Sequence, residues 1–397
     1  MSDDGPVDPN DPFGGLPFFG DLSKLFGAAG TDGAMNWDAA KQFAINIANG
    51  GSVEPNTDPK DRARLAELSR IAELQVATST GLDLTVDGAS PVVIPVTKAE
   101  WAHTTLNHYR PILERLANGL QGPSPDADDT DPTAQLFGGL MKMMAPMMMA
   151  MSAGSMVGHL AERSLGGHDL PIPRPRSAEL IVSGPNIRAF SDEWSVPFDD
   201  IGLWVAIHEL LYHSLYGIPH VRSTVDILLG RYVDGFQAGE MRGIEDKLGS
   251  LDPSAGLENM QQQLSEVFGD PEVLLGAMRS PEHDAVVPQL EAMVAVIIGW
   301  IDHHLDRTAT RLVGASSQVT EALRRRRVSA GPQDRFVERM LGLDLRADLI
   351  ERGHDFIAGV VERGGPEAIQ RLWEVEENIP TPNEVDAPGL WLARIDL

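Results

Sequence analysis

The chain contains no cysteine among its 397 residues. This absence excludes disulfides and thiolate metal sites, so any bound metal would need His, Asp, Glu or Tyr ligands. Basic residues are also scarce, because 32 Lys and Arg stand against 58 Asp and Glu, which gives a formal net charge of -26. A polyanion repels phosphate backbones and anionic lipid, so we expect no nucleic-acid partner.

Signatures of several common enzyme classes are missing as well. The chain has no Walker loop, no glycine-rich dinucleotide fingerprint after a strand and no Gly-x-Ser-x-Gly elbow. Its first residues are acidic and rich in Pro and Gly, and they carry neither the basic segment nor the apolar run of a signal peptide. We therefore expect a cytoplasmic protein.

Composition divides the chain into a tail and a folded remainder. Residues 1–34 mix Gly, Pro and Asp around one short apolar cluster, which predicts a flexible acidic tail. The remainder, 35–397, is long enough for a single sizeable domain. Within it we expect a helical part over 35–170, a region of interest over 177–220 and a second helical part over 221–397.

Capping signals predict helices along most of the chain. Asn36 and Asp58 each stand where an N-cap precedes a helical segment, and Thr97 to Glu100 is a capping box. Pro111 should kink or end the helix that this box begins.

Three short apolar runs predict a small β component. Residues 82–86 and 92–96 favour a hairpin or edge strands, and Glu179–Ser183 is typical of another strand. The fold class predicted from these patterns is mainly α, of the α+β kind.

Residues 141–156 contain eight methionines among small residues. A membrane span needs about 20 apolar residues in a row. The run between Lys142 and Glu162 is nearly that long, but Pro146, His159 and its many small residues argue against a span. We expect a buried helix that packs against another helix through small residues, and no stable membrane insertion.

One predicted helix, over 199–216, could carry chemistry. A zinc peptidase places His-Glu-x-x-His on a helix, so that two histidines one turn apart hold zinc and the glutamate acts on the bound water. This chain offers His208 and Glu209, but Tyr212 stands at the second ligand position, and His213 comes one residue later.

That displacement matters because a helix turns about 100° per residue. Positions 208 and 212 lie about 40° apart, whereas 208 and 213 lie about 140° apart, so only a local bulge would join the two histidines on one ion. Three interpretations stay open. His208 is a structural histidine within an apolar stripe, or Tyr212 or another residue completes a metal site with it, or Glu209 and His213 form an acid-base or metal pair.

Histidines elsewhere are further candidates. A later helix carries Asp302, His303 and His304, and one of the histidines could reach the first site across the fold. His220 is a looser candidate.

Longer stretches resemble one known family. Residues 180–190 (LIVSGPNIRAF), 194–197 (WSVP) and 203–210 (LWVAIHEL) are similar to an actinobacterial family of zinc-dependent metalloproteases with a zincin-like fold. Further matches include 37–40 (WDAA) and 169–173 (DLPIP), so the resemblance extends over most of the chain.

The resemblance implies a zinc site and assigns its residues. His208 matches the first zinc ligand, Glu209 the general base, and His213 an additional histidine of the family pattern. Tyr212 stands where the second ligand belongs, and the family's third ligand, a glutamate before a glycine, falls on Ile298.

We therefore expect a zincin-like metallopeptidase fold with a small β-sheet and an HExxH-type helix. The predicted site has Glu209 as the catalytic residue and His208 and His213 at the metal. The predicted function is that of a peptidase homologue with an incomplete zinc site, which binds a protein, a peptide or a small molecule in the former cleft. The alternative is an active zinc-dependent hydrolase that uses His208, Glu209 and substitute ligands such as His213, Asp302 or His303.

Overall fold

The computed structural model describes residues 35–52, 54–120, 132–236, 281–314, 316–328 and 337–396. These residues are mostly helical and include a small two-stranded sheet, which confirms the predicted fold class. The predicted tail over 1–34 lies outside the described residues, and the division into one domain stays a prediction.

Among the described residues, five helices precede the second strand, and capping explains where several of them begin. They are α1 (Trp37–Ala48), α2 (Pro59–Thr80), α3 (Lys98–His108), α4 (Arg110–Leu120) and α5 (Pro132–Arg163). The Asn36 side chain accepts from the Ala39 N–H, and Thr97 and Glu100 form the predicted capping box. Helix α3 ends just before Pro111, whose ring and missing N–H disrupt the preceding turn.

The sheet pairs two strands that are distant in sequence. Strand β1 (Val92–Val96) lies parallel to β2 (Glu179–Ser183), with Ile94 opposite Ile181. Of the two alternatives predicted for 82–86 and 92–96, the hairpin is wrong, because the first run forms only an isolated bridge across a tight turn. The second run is an edge strand, as the other alternative predicted. Apolar runs indicate strands, but parallel pairing requires a long crossover that local sequence does not reveal.

The other described elements follow β2 along the chain. They are α6 (Gly184–Trp194), α7 (Phe198–Leu215), α8 (Pro219–Asp234), α9 (Pro281–Leu312), α10 (Ser316–Val328), α11 (Ala347–Gly364), two 3-10 turns (Pro366–Trp373 and Glu376–Asn378), α12 (Pro382–Val385) and α13 (Pro388–Ile395).

Helix α7, which carries His208 and Glu209, lies in the centre of the fold. It contacts α2, α6, α9, α10 and β2, and every residue from Ile201 to Leu215 is buried. The apolar stripe of this helix is buried, and so is its opposite face, since neighbours cover the helix all round.

The methionine-rich helix α5 packs through small residues as predicted, but it is not buried throughout, since Met148 and Met151 are exposed. A Cβ added to Gly154 would lie 2.4 Å from the Ala40 carbonyl oxygen of α1, and one added to Gly158 would lie 2.7 Å from the Cβ of Ile47. Small residues thus let α1 and α5 approach closely. Among the described helices, the segment His283–Leu312 of α9 has the length and hydropathy of a membrane span. Of the apolar 18-residue stretch within it, 67% is buried inside the protein, as in a core helix.

Candidate functional site

Glu209 is fully buried on α7, with 0% of its surface exposed, and both of its oxygens are engaged. Oε2 lies 2.8 Å from Nδ1 of His168. Oε1 accepts from the backbone N–H of His168 at 3.1 Å and lies 3.3 Å from Nδ1 of His208. The carboxylate that acts on water in a zinc peptidase is therefore bonded to two imidazoles here.

Two glycines let the chain wrap around this carboxylate. A Cβ at Gly166 would lie 2.1 Å from Oε1 of Glu209, and one at Gly167 would lie 3.1 Å from Oε2. Trp101 anchors the loop, because its indole N–H donates to the Gly166 carbonyl at 2.9 Å. Asp169 accepts from the Gly166 N–H at 3.0 Å. The loop and Glu209 thus form one closely packed unit.

The electrostatics of the pair favour an ionised carboxylate. Burial alone would raise the pKa of Glu209, but His168 and His208 hold that pKa well below its usual range. Burial lowers the pKa of His168, against the opposing effect of Glu209. An ionised carboxylate can only accept, so Nδ1 of His168 carries the proton, and Nε2 is the nitrogen left for a bound molecule.

Aromatic rings line the face of α7 that carries His208. Trp204, His208, Tyr212 and Tyr216 follow one another with ring centroids 5.2, 5.0 and 5.8 Å apart. Tyr212 also stacks on His168, at 5.2 Å and an interplanar angle of 4°. The position of the second zinc ligand is thus filled by a ring between His208 and His168.

His213 makes a different contact from His208. Its Nε2 donates to the Leu84 carbonyl at 2.8 Å, and burial lowers its pKa. Helix α7 is regular from Phe198 to Leu215, without the bulge that would turn both histidines to one ion. Among the described residues, no group of three or more His, Asp or Glu side chains is arranged to hold a metal. The donors present do not fit the zinc site of the His-Glu-x-x-His pattern.

The candidates on α9 lie elsewhere. Asp302 accepts from Nε2 of His354 at 2.9 Å. His303 and His304 line a cavity of about 250 Å³. A different cavity lies beside Glu209, and the two share no lining residue. Neither cavity includes His220.

Acid should destabilise the protein partly through His304, whose ring is buried 4.4 Å from that of Trp300. Burial, with smaller effects of His303 and Arg307, lowers its pKa from 6.5 to about 3. The unfolded chain therefore binds this proton at higher pH than the folded chain. The stability that depends on neutral His304 is complete above pH 6.5 and is lost as the pH falls toward 3.

We expect this group to lower the free energy of unfolding by up to about 1.4 kcal/mol per pH unit in that window. Urea unfolding of His304→Gln should show a shallower loss between pH 6 and pH 4, by roughly that slope. His159→Gln, which removes a half-buried histidine on α5, is the control. Equal slopes in the two variants would contradict the prediction.

A cavity of about 230 Å³ lies beside Glu209. Its walls include His168, Glu209, His213 and the first residues of β2. Three arginines also line it, namely Arg174, Arg176 and Arg222. Sequence reasoning missed His168 and Arg174, for which the only local signals are the preceding Gly-Gly pair and a Pro-Arg-Pro-Arg run.

Comparison with known proteins agrees with this fold. The model of a zincin-like metallopeptidase family matches residues 35–392, and the chain belongs to that family. A Chloroflexus aurantiacus crystal structure, described as that of an inferred hydrolase with a novel fold, is 20% identical with a TM-score of 0.60, covering 91% of this chain and 99% of that one. This likeness shows a shared fold. No curated protein matches the chain.

Proposed function

We propose that this chain is a divergent zincin-like protein that binds a ligand beside Glu209 instead of cleaving peptides with zinc. The observation that carries the proposal is the engagement of both Glu209 oxygens by His168 and His208. A general base needs an oxygen free to receive a proton from water. Here the carboxylate orients an imidazole.

The zinc chemistry of the family supports the same conclusion. Bound zinc supplies an acidified water to such enzymes, and it is held by at least three protein ligands. In this chain Tyr212 replaces the second ligand, and Ile298, at the place implied for the third, is a buried aliphatic residue. His213 is bonded to the Leu84 carbonyl.

The cavity offers what a binding protein needs. Nε2 of His168 is available because Nδ1 is bonded to Glu209, and polar groups converge there from α7, from β2 and from the loop before β2. A short peptide segment or a small polar molecule would match its size and its mixed polar and apolar walls.

Metal content tests the proposal. Protein purified without an affinity tag should contain far less than one zinc per chain, and its melting temperature should not respond to chelator or to added zinc, since a ligand that binds the native state must stabilise it. His208→Ala should leave metal content unchanged, and His159→Ala serves as a matched histidine control. One zinc per chain that is lost in His208→Ala alone would overturn the proposal.

A further inference from the structure

Arg174 is a buried arginine in the wall of the cavity, with 7% of its surface exposed. Its Nη2 donates to the Thr105 hydroxyl at 3.0 Å, and its Nη1 lies 3.3 Å from Nδ1 of His108. The guanidinium carbon lies 5.4 Å from the ring centre of Trp101 and 5.5 Å from that of Tyr109. Its Nε is buried without a hydrogen-bond partner.

None of these partners is an anion. Among the described residues no carboxylate forms an ion pair with Arg174, whose contacts are a hydroxyl, aromatic rings and an imidazole. Burial, then Arg174 and His168, lowers the pKa of His108 to about 4, so this imidazole is neutral near pH 7 and accepts from Nη1. Aromatic faces attract a cation, but they do not neutralise it.

The other charged side chains of the cavity wall are two arginines and two carboxylates. Arg176 donates to two backbone carbonyls, those of Gly217 at 3.1 Å and Thr85 at 3.0 Å. Arg222 makes a long contact of 3.7 Å with Asp226. Glu209 bonds to His168 and His208 through its oxygens, and Glu179 lies exposed at the start of β2. With three arginines against two carboxylates, the cavity wall is a local exception in a chain of net charge -26.

Buried charges are costly unless an opposite charge and hydrogen bonds compensate them. A planar guanidinium matches the two oxygens of a carboxylate or phosphate. We infer that this cavity is an oxyanion-binding site, in which Arg174 binds the carboxylate or phosphate group of a ligand. The inference rests on the proposed function and names the chemical class of the ligand.

The size of the cavity limits that ligand. Its volume of about 230 Å³ lies below the roughly 300–1,000 Å³ typical of drug-sized ligands. A small phosphorylated or carboxylated molecule fits, as does the last residue of a peptide with its terminal carboxylate. A folded partner domain could insert only such a terminus.

Three probes distinguish the sources of the oxyanion. Inorganic phosphate, acetyl-trialanine with a free carboxylate and the same peptide as its C-terminal amide are titrated to about 10 mM at low ionic strength, and the melting temperature is followed. A shift with phosphate indicates a phosphate ligand, and a shift with the acid but not the amide indicates a carboxylate. The inference is overturned if phosphate does not shift the melting temperature and the free-acid and amide forms of the peptide affect it equally.

Variants assign the binding to Arg174. Arg174→Met should weaken binding of the active probe at least about tenfold, and Arg174→Lys, which keeps the charge but loses the planar fork, should weaken it by a smaller factor. Arg325→Met changes an exposed arginine and should bind as the unaltered protein does. The inference is contradicted if both Arg174→Lys and Arg174→Met bind the probe as the unaltered protein does. If Arg174→Met does not fold, unchanged binding in Arg174→Lys alone contradicts it.

Failure of this inference is distinguishable from failure of the proposed function. Zinc that depends on His208 would overturn the proposed function, whatever the probes do. If the protein is free of metal and its melting temperature does not respond to any oxyanion probe, the proposed function is retained and only the assignment of oxyanion binding to Arg174 is withdrawn.

Discussion

Replacing Glu209 with alanine should lower the free energy of unfolding by about 3–5 kcal/mol. The carboxylate is fully buried and accepts from the backbone N–H and the Nδ1–H of His168. Its removal leaves these donors buried without acceptors and opens a cavity next to Gly166, so hydrogen-bond and packing losses add. Urea unfolding followed by circular dichroism at pH 7 measures the change.

Two further variants separate charge from shape. Glu209→Gln keeps the volume and one acceptor oxygen, so we expect a smaller loss of about 1–3 kcal/mol. Glu193→Ala changes an exposed glutamate at the end of α6 and should stay within about 0.5 kcal/mol of the unaltered protein. If Glu209→Ala unfolds at as high a urea concentration as Glu193→Ala does, the Glu209 carboxylate does not stabilise the fold as a buried hydrogen-bond acceptor.

A double-mutant cycle tests the contact with His168 itself. Residues in direct contact show coupling energies of about 0.5–3 kcal/mol. The loss in Glu209→Ala combined with His168→Ala should therefore be smaller than the sum of the two single losses. Simple additivity would mean that the two side chains do not interact in solution.

The parts of the fold that sequence predicted are those that depend on near neighbours. The Asn36 cap joins residues three apart, and the capping box at Thr97 spans the same distance. The residue types at such short spacings identify the hydrogen bond directly. Pairing of β1 with β2 joins segments about eighty residues apart, and no local signal selects that partner over the run at 82–86.

The candidate site shows the same division. Pattern alone identified His208 and Glu209 as neighbours on one helix, and Tyr212 as the ring one turn on, which packs edge-on against His208. The sequence did not predict His168 as a site residue, because it is 41 residues from Glu209 along the chain and belongs to no recognisable motif. Its role depends on a loop that only two glycines allow to approach the carboxylate.

The polar residues buried on α7 depend on distant segments in the same way. Glu209 and His213 are buried and hydrogen-bonded to groups far along the chain. A buried polar group is recognised by its partner, and the partners lie on distant segments. The family resemblance, which integrates information over the whole chain, predicted the fold where periodicity could not.

A second large loss of stability is expected where α9 and α11 cross, because glycines let the two helices approach closely there. A Cβ at Gly353 would lie 2.0 Å from the Ala295 carbonyl oxygen, and one at Gly299 would lie 2.3 Å from the Gly353 carbonyl oxygen. These obstacles are backbone atoms, which cannot rotate away, so the helices would have to separate. Gly299, which follows Ile298 where the resemblance places a ligand, therefore serves helix packing in this chain.

Gly353→Ala should lower the free energy of unfolding by about 3 kcal/mol, the upper end of the usual cost of overpacking. Helix propensity alone predicts the opposite sign, because alanine is favoured over glycine by about 1 kcal/mol within a helix. Gly389→Ala on α13 is the matched control, since its Cβ would meet the Arg363 side chain at an ordinary 3.8 Å. We expect that variant to be neutral or slightly stabilised. A Gly353→Ala protein that melts at or above the temperature of Gly389→Ala would show that α9 and α11 do not touch at this point.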